Sequence, residues 1–483
     1  MDQRYLQWIV SAILVLMTSS LASAQPSSQT QLDTLVQQLD HLEAVNNEVR
    51  LELDAARADL SDGWLDEQRS AQVASIVQEI INDADTRTNL RGGGLMMGWS
   101  NGFFLSSADG RHTLKVSGMM QMRYMGSWAK DESTPLNDDW QSGFDIPRVQ
   151  FDITGQLANP GMEYKIETGW GRLDPDNMTN NDTEMDQRLF EVWSKLKIAD
   201  NLAIKIGQFN LPFTRETLVS PAHQLAIEKS IVDHRLGLGM STGVEFIWAN
   251  QQQRFFLAYT NGSGAMLWST PFMFDEPTSS PPWAALNRDT SYSFTVRHEW
   301  KLSGNWEQFN QFTSPPGSGK GVLLGIAGHQ QNLERDSEDP TGGFPDGTMS
   351  SVTADISVQL DGASFFVSGT YHRMKDFNVN NPIDFDWYGF VAQGSSYLTN
   401  SIEIYGRLEV GGISNLAILN TDLQVATIGI NRYLDGQDVK LSADVGYSFG
   451  ELSGRFSNSL TGWRADEERG NQVVIRTQLQ VMF

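Results

Sequence analysis

Three things are scarce in this sequence, and each scarcity excludes a class of protein. There is no cysteine, which excludes disulfide bonds and cysteine metal sites. Lys and Arg number 35 against 59 Asp and Glu, and the resulting net charge of -24 argues against nucleic-acid binding, which needs a basic surface. Beyond the amino terminus, no apolar run reaches the roughly 18 residues of a membrane-spanning helix, so a helical inner-membrane protein is excluded.

Signals for catalysis or metal binding are equally scarce. The seven His residues are scattered without metal-ligand spacing, so neither a metal nor another cofactor is expected. His298 and His372 have the chemistry for a hydrolase, but no serine has the local setting of a nucleophile, and we do not expect an enzyme. Lys320 lies in a Gly-rich segment but is followed by Gly where a phosphate loop has Ser or Thr, so this segment is interpreted as a turn.

What the sequence does contain is polarity that alternates with a period of two, most clearly in the last strand before Phe483. One side of this segment carries Val473, Ile475, Thr477, Leu479, Val481 and Phe483, and the other carries Val474, Arg476, Gln478, Gln480 and Met482. The pattern is typical of a transmembrane β-strand between lipid and a wet lumen, although a soluble sandwich also alternates. Composition favours a barrel, because only 40% of the residues are hydrophobic while 14 Trp and 24 Phe are available for the membrane interfaces.

The same alternation recurs from Thr113 onward and predicts an all-β transmembrane barrel of about 16 antiparallel strands. Connections alternate between short and long, as in bacterial barrels. The segment Asn305–Phe312 can be scored as one more strand. We interpret it as a long periplasmic turn instead, because bacterial barrels have an even number of strands and a seventeenth strand would make the number odd. The long connections are rich in Asp and Glu, and both solvated loop tips and cation-bridged contacts with lipopolysaccharide explain this acidity.

The amino-terminal part has a helical pattern instead. Residues 1–24 combine a short apolar run with a small-residue cleavage signal and are predicted to be a signal peptide. Residues 25–62 show heptad spacing, which predicts a periplasmic coiled coil, with a single amphipathic helix as the alternative. Residues 63–94 are predicted to be a second helical segment that ends in a Gly hinge. Residues 95–483 then form the predicted barrel domain.

One connection, Gln208–Ser241 after the fifth predicted strand, is long yet too apolar for disorder, and such loops are usually functional. The segment that leads into it carries Gly207, Gln208, Phe209, Pro212 and Phe213. This arrangement resembles the phosphate-selective porin O and P family, in which a Gly-Gln-Phe-x-x-Pro-Phe segment closes a strand before a loop that enters the lumen. The resemblance implies a trimeric barrel of about 16 strands whose third loop narrows the pore.

Two groups of residues are therefore candidates for contact with solutes. The candidate constriction residues are Pro212, Phe213, Arg215, Glu216, Glu228, Lys229 and Arg235. The candidate basic residues of the lumen wall are Lys115, Arg123, Arg148, Lys165, Lys195, Lys197, Lys205, Arg297, Arg407, Arg432, Lys440 and Arg476. Carboxylates share the same parity, among them Asp152, Glu163, Glu167 and Glu191, so the predicted lumen has charges of both signs.

These observations predict an outer-membrane porin, a passive water-filled channel for small polar solutes. A preference for phosphate or other anions and a general channel for polar solutes or oligosaccharides both fit a mixed lumen. The expected partners are outer-membrane lipid, lipopolysaccharide and two further copies in a homotrimer, and contact of the amino-terminal helices with peptidoglycan is left open. The alternative is an interaction protein whose barrel only anchors the coiled coil and the outer loops.

Overall fold

A computed structural model describes residues 95–129, 140–157, 161–171, 186–263, 288–335, 347–375, 384–414, 423–450, 452, 456, 461–464 and 471–483. The predicted signal peptide, coiled coil and helical segment lie outside these residues and stay predictions, as does the role of the acidic long connections. Among the described residues, no helix combines the length and the apolar character needed to cross a bilayer.

Among the described residues, eighteen strands form one antiparallel sheet. Their bounds are β1 Leu95–Trp99, β2 Phe103–Ser107, β3 Thr113–Trp128, β4 Trp140–Leu157, β5 Met162–Gly171, β6 Asp186–Ala199, β7 Leu202–Asn210, β8 Met240–Ala249, β9 Gln253–Thr260, β10 Arg288–Ser303, β11 Lys320–Arg335, β12 Gly347–Leu360, β13 Ala363–Lys375, β14 Phe385–Thr399, β15 Ile402–Ser414, β16 Leu423–Asp435, β17 Val439–Ser448 and β18 Val473–Met482. The described helices are short: α1 Arg215–Leu218, α2 Ile231–Leu236, and the 3-10 turns Pro221–His223 and Glu307–Asn310.

Strands β3 to β18 form a closed barrel of 16 strands. Each strand pairs with its neighbour in sequence, and β18 returns to β3 with Gln480 opposite Gln121. The predicted barrel and its strand count are thus confirmed, and Asn305–Phe312 contains a 3-10 turn rather than a strand. The short connections lie at the same end of the barrel as the carboxyl terminus, which we call the short-turn end, and the long connections lie at the long-loop end.

The two additional strands, β1 and β2, were not predicted. They pair with each other, and β2 also pairs with Thr113–Val116 of β3, whereas β18 pairs with Met119–Trp128 of the same strand. The hairpin therefore continues the barrel wall where β18 stops. Its first strand, Leu95–Trp99, is apolar at consecutive positions, so it lacks the period of two on which the prediction depended.

Side chains alternate between the lumen and the outer face along each strand of the wall. On β15, Leu408 and Val410 are 56% and 45% exposed on the outside, while Arg407 and Glu409 are buried on the inside. An apolar outer face suits lipid, and closure of the sheet pairs the backbone polar groups that a bilayer cannot solvate.

Arg432 lies on this outer face, so its prediction as a residue of the lumen wall is wrong. It lies opposite Leu441 in the β16–β17 register, and Leu441 is exposed on the outside. The neighbours of Arg432 take the lumen positions because Asn431 Nδ2 donates to the Leu225 carbonyl oxygen at 2.8 Å and Tyr433 is buried. Because Asn431 and Tyr433 face the lumen, the residue between them faces outward, so the lumen positions of this strand are shifted by one residue from the predicted ones.

Candidate functional site

The segment around Gly207 ends β7 at a fixed point on the wall. Gly207 has φ of +135°, and a Cβ atom there would lie 2.1 Å from the Val192 carbonyl oxygen, so a larger residue does not fit. The Gln208 Nε2 donates to the Leu189 carbonyl oxygen at 3.0 Å, and Phe209 is fully buried. The chain that follows therefore leaves the wall from a defined position.

Residues 211–239, here called the inward loop, fold into the lumen and reach the opposite wall. On β17, the Lys440 Nζ donates to the Ala222 carbonyl oxygen at 2.9 Å. On β13, the His372 Nε2 donates to the Leu236 carbonyl oxygen at 2.9 Å. Because backbone carbonyls of the loop accept these bonds, the wall fixes the path of the loop itself and not only its side chains.

Two capped helices give the inward loop its shape. The Thr214 hydroxyl caps α1 by accepting from the Thr217 backbone N–H at 3.4 Å, and the Ser230 hydroxyl caps α2 by accepting from the Asp233 backbone N–H at 2.9 Å. Several apolar side chains of the loop are also buried, namely Leu211, Phe213, Val219, Leu225, Ile227, Ile231, Val232, Leu236 and Leu238. The loop thus has a packed interior and is held in a single arrangement.

Glu228 links the inward loop to β3, β4 and β15. Its carboxylate accepts from Arg148 Nη2 at 2.7 Å and forms an ion pair with Arg123, while its backbone carbonyl oxygen accepts from Arg407 Nη1 at 2.7 Å. Burial acts to raise the pKa of Glu228, but Arg148 and Arg123 outweigh it and hold this pKa well below its usual value. Glu228 therefore stays ionised as the shared counter-charge of two arginines.

Glu216 has the opposite electrostatic setting. Its carboxylate accepts from the Ser230 backbone N–H at 2.9 Å and from the Ser230 hydroxyl at 2.6 Å. Burial, together with the nearby Asp233 carboxylate, raises the pKa of Glu216 to about 7. This residue changes charge near neutral pH inside the loop.

Three other predicted constriction residues lie in the packed part of the loop. Pro212 and Phe213 are buried, and the Phe213 carbonyl oxygen accepts from Arg297 Nη1 at 2.7 Å. The Arg215 guanidinium is also buried, 5.9 Å from the centre of the Phe312 ring, and burial lowers its pKa. These side chains support the loop and do not line a water-filled passage.

Lys229 and Arg235 are the predicted constriction residues that keep contact with solvent. Lys229 is 21% exposed at its side chain and lies 3.4 Å from Asp233 through its Nζ atom. Arg235 is half-buried near the end of α2. Two basic side chains of the loop are thus within reach of water.

Most of the predicted basic wall is paired with carboxylates. The pairs are Arg123 and Arg148 with Glu228, Lys165 with Asp152, Glu167 and Glu191, Lys195 with Glu163, Lys197 with Asp200, Lys205 with Glu245, Arg297 with Glu299 and Asp355, Arg407 with Glu409, and Arg476 with Asp444. Lys440 is buried with the inward loop, and Lys115 is half-buried on the lumen side of β3. Because the two charges of each pair neutralise each other, this wall does not form a run of uncompensated positive charge.

A second inward segment was missed at the sequence level. Residues 304–319, here called the lower connection, join β10 to β11 at the short-turn end and carry the buried side chains Phe309 and Phe312. The Phe312 backbone N–H donates to the His223 carbonyl oxygen at 3.2 Å, so the lower connection meets the inward loop inside the barrel. The sequence did contain a signal for this course: a turn at the rim of a barrel does not require apolar side chains, yet this connection carries two phenylalanines.

The described residues of the last long connection, between β17 and β18, also lie inside the barrel. Phe456 is fully buried, and its ring packs against the Trp387 ring of β14 at a centroid distance of 5.8 Å. Trp463 of the same connection is 1% exposed and lies against Gly446. Three segments from both ends of the barrel thus occupy part of its lumen.

A closed barrel with a polar lumen and an inward loop is the architecture of an outer-membrane porin. The family model described as phosphate-selective porin O and P matches residues 129–266, which include the whole inward loop. The resemblance seen around Gly207 is thereby confirmed.

Several solved structures are similar to this chain. The anion-selective porin from Comamonas acidovorans has 10% sequence identity and a TM-score of 0.50, with 77% of this chain and 100% of that chain covered. At that identity the similarity shows the barrel fold alone. The channel DcaP of Acinetobacter baumannii has 11% identity and a TM-score of 0.48, with 78% and 99% covered. OmpT of Vibrio cholerae has 11% identity and a TM-score of 0.47, with 77% and 98% covered. Among curated proteins, the comparison finds no match.

Proposed function

We propose that this chain is an outer-membrane porin that lets small polar solutes cross by passive diffusion. The observation that carries the proposal is the closed barrel of 16 strands, apolar outside and polar inside, with an inward loop built into its lumen. A barrel of this size is wide enough for an aqueous channel. No step of the proposed transport needs chemistry or an energy source, because solutes move down their own gradients.

We propose weak selection between anions and cations rather than a dedicated phosphate channel. A phosphate path needs cationic groups that are free to replace the water around the anion. Here most of the lumen lysines and arginines already have carboxylate partners, such as Glu163 for Lys195 at 2.5 Å. An anion preference is the second candidate, and the partly exposed Lys229 and Arg235 on the inward loop favour it.

The remaining sequence predictions complete the proposal. We propose a homotrimer in the outer membrane, with the short-turn end and the amino-terminal coiled coil in the periplasm. The acidic long connections would then face outward, next to lipopolysaccharide. Chemical cross-linking of the purified protein tests the trimer, and a chain that lacks residues 25–62 tests whether the coiled coil holds the copies together.

Planar-bilayer recording tests the channel itself. The purified protein is expected to give stepwise single-channel currents in potassium chloride, and a salt gradient is expected to give a reversal potential near zero. Protein heated until its barrel unfolds is the control and is expected to give no steps. A folded barrel that gives no current would favour the alternative, in which the barrel only anchors an interaction protein.

A further inference from the structure

Charged side chains on the lumen face fall into two groups by exposure. On β10 to β18, the predicted basic residues of the wall are at most 4% exposed, and these are Arg297, Arg407, Lys440 and Arg476. On β4 to β6, the side chains of Asp152, Glu163 and Lys195 are 31%, 50% and 30% exposed. Water therefore reaches the lumen face of β4 to β6 and not the buried basic residues of β10 to β18.

The three inward segments explain this asymmetry because each of them contacts strands of the β10 to β18 side, although Glu228 of the inward loop also pairs with Arg123 of β3 and Arg148 of β4. The inward loop bonds to β15, where the Glu409 carboxylate accepts from the Ile231 backbone N–H at 2.5 Å. The lower connection bonds to the same strand, where the Thr313 hydroxyl donates to the Glu403 carboxylate at 2.7 Å. The last long connection places Phe456 on β14 and β15. These segments enter from both ends, and their described residues pack against that half of the wall.

We propose that solutes cross through a lane beside β4 to β6 and that the charged residues of this lane select them, whereas the buried arginines do not. The proposal rests on the passive channel proposed above and assigns the residues that govern it. The lane is lined by Asp152, Glu163, Lys165, Glu167, Glu191 and Lys195.

The chemistry of the lane defines the class of solute. Lys165 Nζ lies 2.6 Å from a Glu167 oxygen and 2.7 Å from a Glu191 oxygen, and Lys195 Nζ lies 2.5 Å from a Glu163 oxygen. Opposite charges thus lie side by side along the path. Such a wall attracts an ion of one sign at one side chain and repels it at the next. A polar solute that is uncharged, or that carries both charges, finds a favourable partner at every step along the wall.

The buried basic residues have a different task, which is to hold the inward loop. Arg297, Arg407 and Lys440 each donate to a backbone carbonyl oxygen of that loop, at 2.7, 2.7 and 2.9 Å. These side chains are at most 4% exposed, so a passing solute does not reach their donors. Its replacement is expected to loosen the loop and not to reverse selectivity.

The absence of cysteine from the chain permits a direct test with single introduced thiols. Glu163→Cys and Lys195→Cys place a thiol in the lane, and Ser368→Cys is a near-isosteric control on the filled side, where Ser368 is 8% exposed. Each folded variant is treated with a negatively charged methanethiosulfonate reagent. Mass spectrometry follows the modification, and planar-bilayer recording follows the single-channel current.

The two lane thiols are expected to react at least about 100-fold faster than the control thiol, because a buried thiol reacts only when the structure opens locally. Their modification is also expected to change the current, and the control thiol is expected to react at full rate once the barrel is unfolded. A conducting barrel in which Ser368→Cys reacts as fast as Lys195→Cys, or in which lane modification leaves the current unchanged, would overturn the lane. A wild-type barrel without any current would instead overturn the proposed channel.

Discussion

Single carboxylates hold the inward loop in the barrel, and Glu228 is the clearest case. Glu228→Gln removes the shared counter-charge of Arg123 and Arg148 while keeping the size of the side chain. We expect a loss of about 3–5 kcal/mol in the free energy of unfolding, because the variant removes a buried negative charge that two guanidinium groups share. The loss is measured as a lower temperature of barrel unfolding in detergent, followed by gel mobility.

Asp200→Asn is the matched control for this prediction. Asp200 pairs with Lys197 at 3.1 Å, but both side chains are exposed, so removing this pair is expected to leave the unfolding temperature unchanged. Equal unfolding temperatures for the wild type and Glu228→Gln would show that the buried pair does not hold the loop.

Glu216 predicts a dependence of stability on pH. Its pKa is raised to about 7 in the folded protein from an ordinary value of 4.5, so the folded state binds more protons than the unfolded state between these values. The contribution of Glu216 to stability is therefore full below pH 4.5 and is lost as pH rises toward about 7. Unfolding temperatures measured from pH 4 to 9 are expected to show this loss in the wild type and not in Glu216→Gln. The same slope in both proteins would assign the dependence to another group.

The strands and the inward segments differ in how far the sequence predicts them. Alternation predicts the barrel strands because lipid and water impose opposite demands on successive side chains, and β18 shows this through Leu479 and Gln480. The same rule misassigns Arg432, where two polar residues are adjacent and parity depends on contacts with the inward loop. The inward course of the lower connection also depends on tertiary contacts that no local pattern encodes.

Within the lower connection, Phe312 tests whether this segment keeps one half of the lumen closed. Its ring packs against the Phe366 ring at a centroid distance of 4.8 Å, beneath Arg215 of the inward loop. Phe312→Ala is expected to leave a cavity and to destabilise the packed segment by about 3–5 kcal/mol. Single-channel recordings are expected to show a larger and noisier current. Trp306→Ala alters the half-buried start of the same connection and is expected to keep the wild-type current. A larger current in both variants would mean that Phe312 does not specifically keep this half of the lumen closed.

The whole barrel distributes its charges so that the two halves of the lumen serve different purposes. On the filled side, ion pairs such as Arg476 with Asp444 at 2.7 Å are enclosed by protein and contribute to the packing of the inward segments. On the side of the lane, Lys195 and Glu163 remain in water. A count of basic residues along the wall therefore overstates the positive charge that a solute meets, and exposure decides which charges act on it.

Charge reversal in the lane provides a test of this distribution at the level of the assembled channel. Glu163→Lys replaces the most exposed carboxylate of the lane and leaves Lys195 without its partner. The reversal potential in a potassium chloride gradient is therefore expected to shift toward the equilibrium potential of chloride, with about a twofold change in the ratio of chloride to potassium permeability. Arg432→Gln removes a positive charge from the outer face and is expected to leave the reversal potential unchanged, since Arg432 lies beside lipid-facing Leu441. A shift of the reversal potential toward that of potassium in Arg432→Gln would mean that Arg432 faces the lumen, as the sequence predicted. An unchanged potential in Glu163→Lys would mean that solutes do not pass along β5.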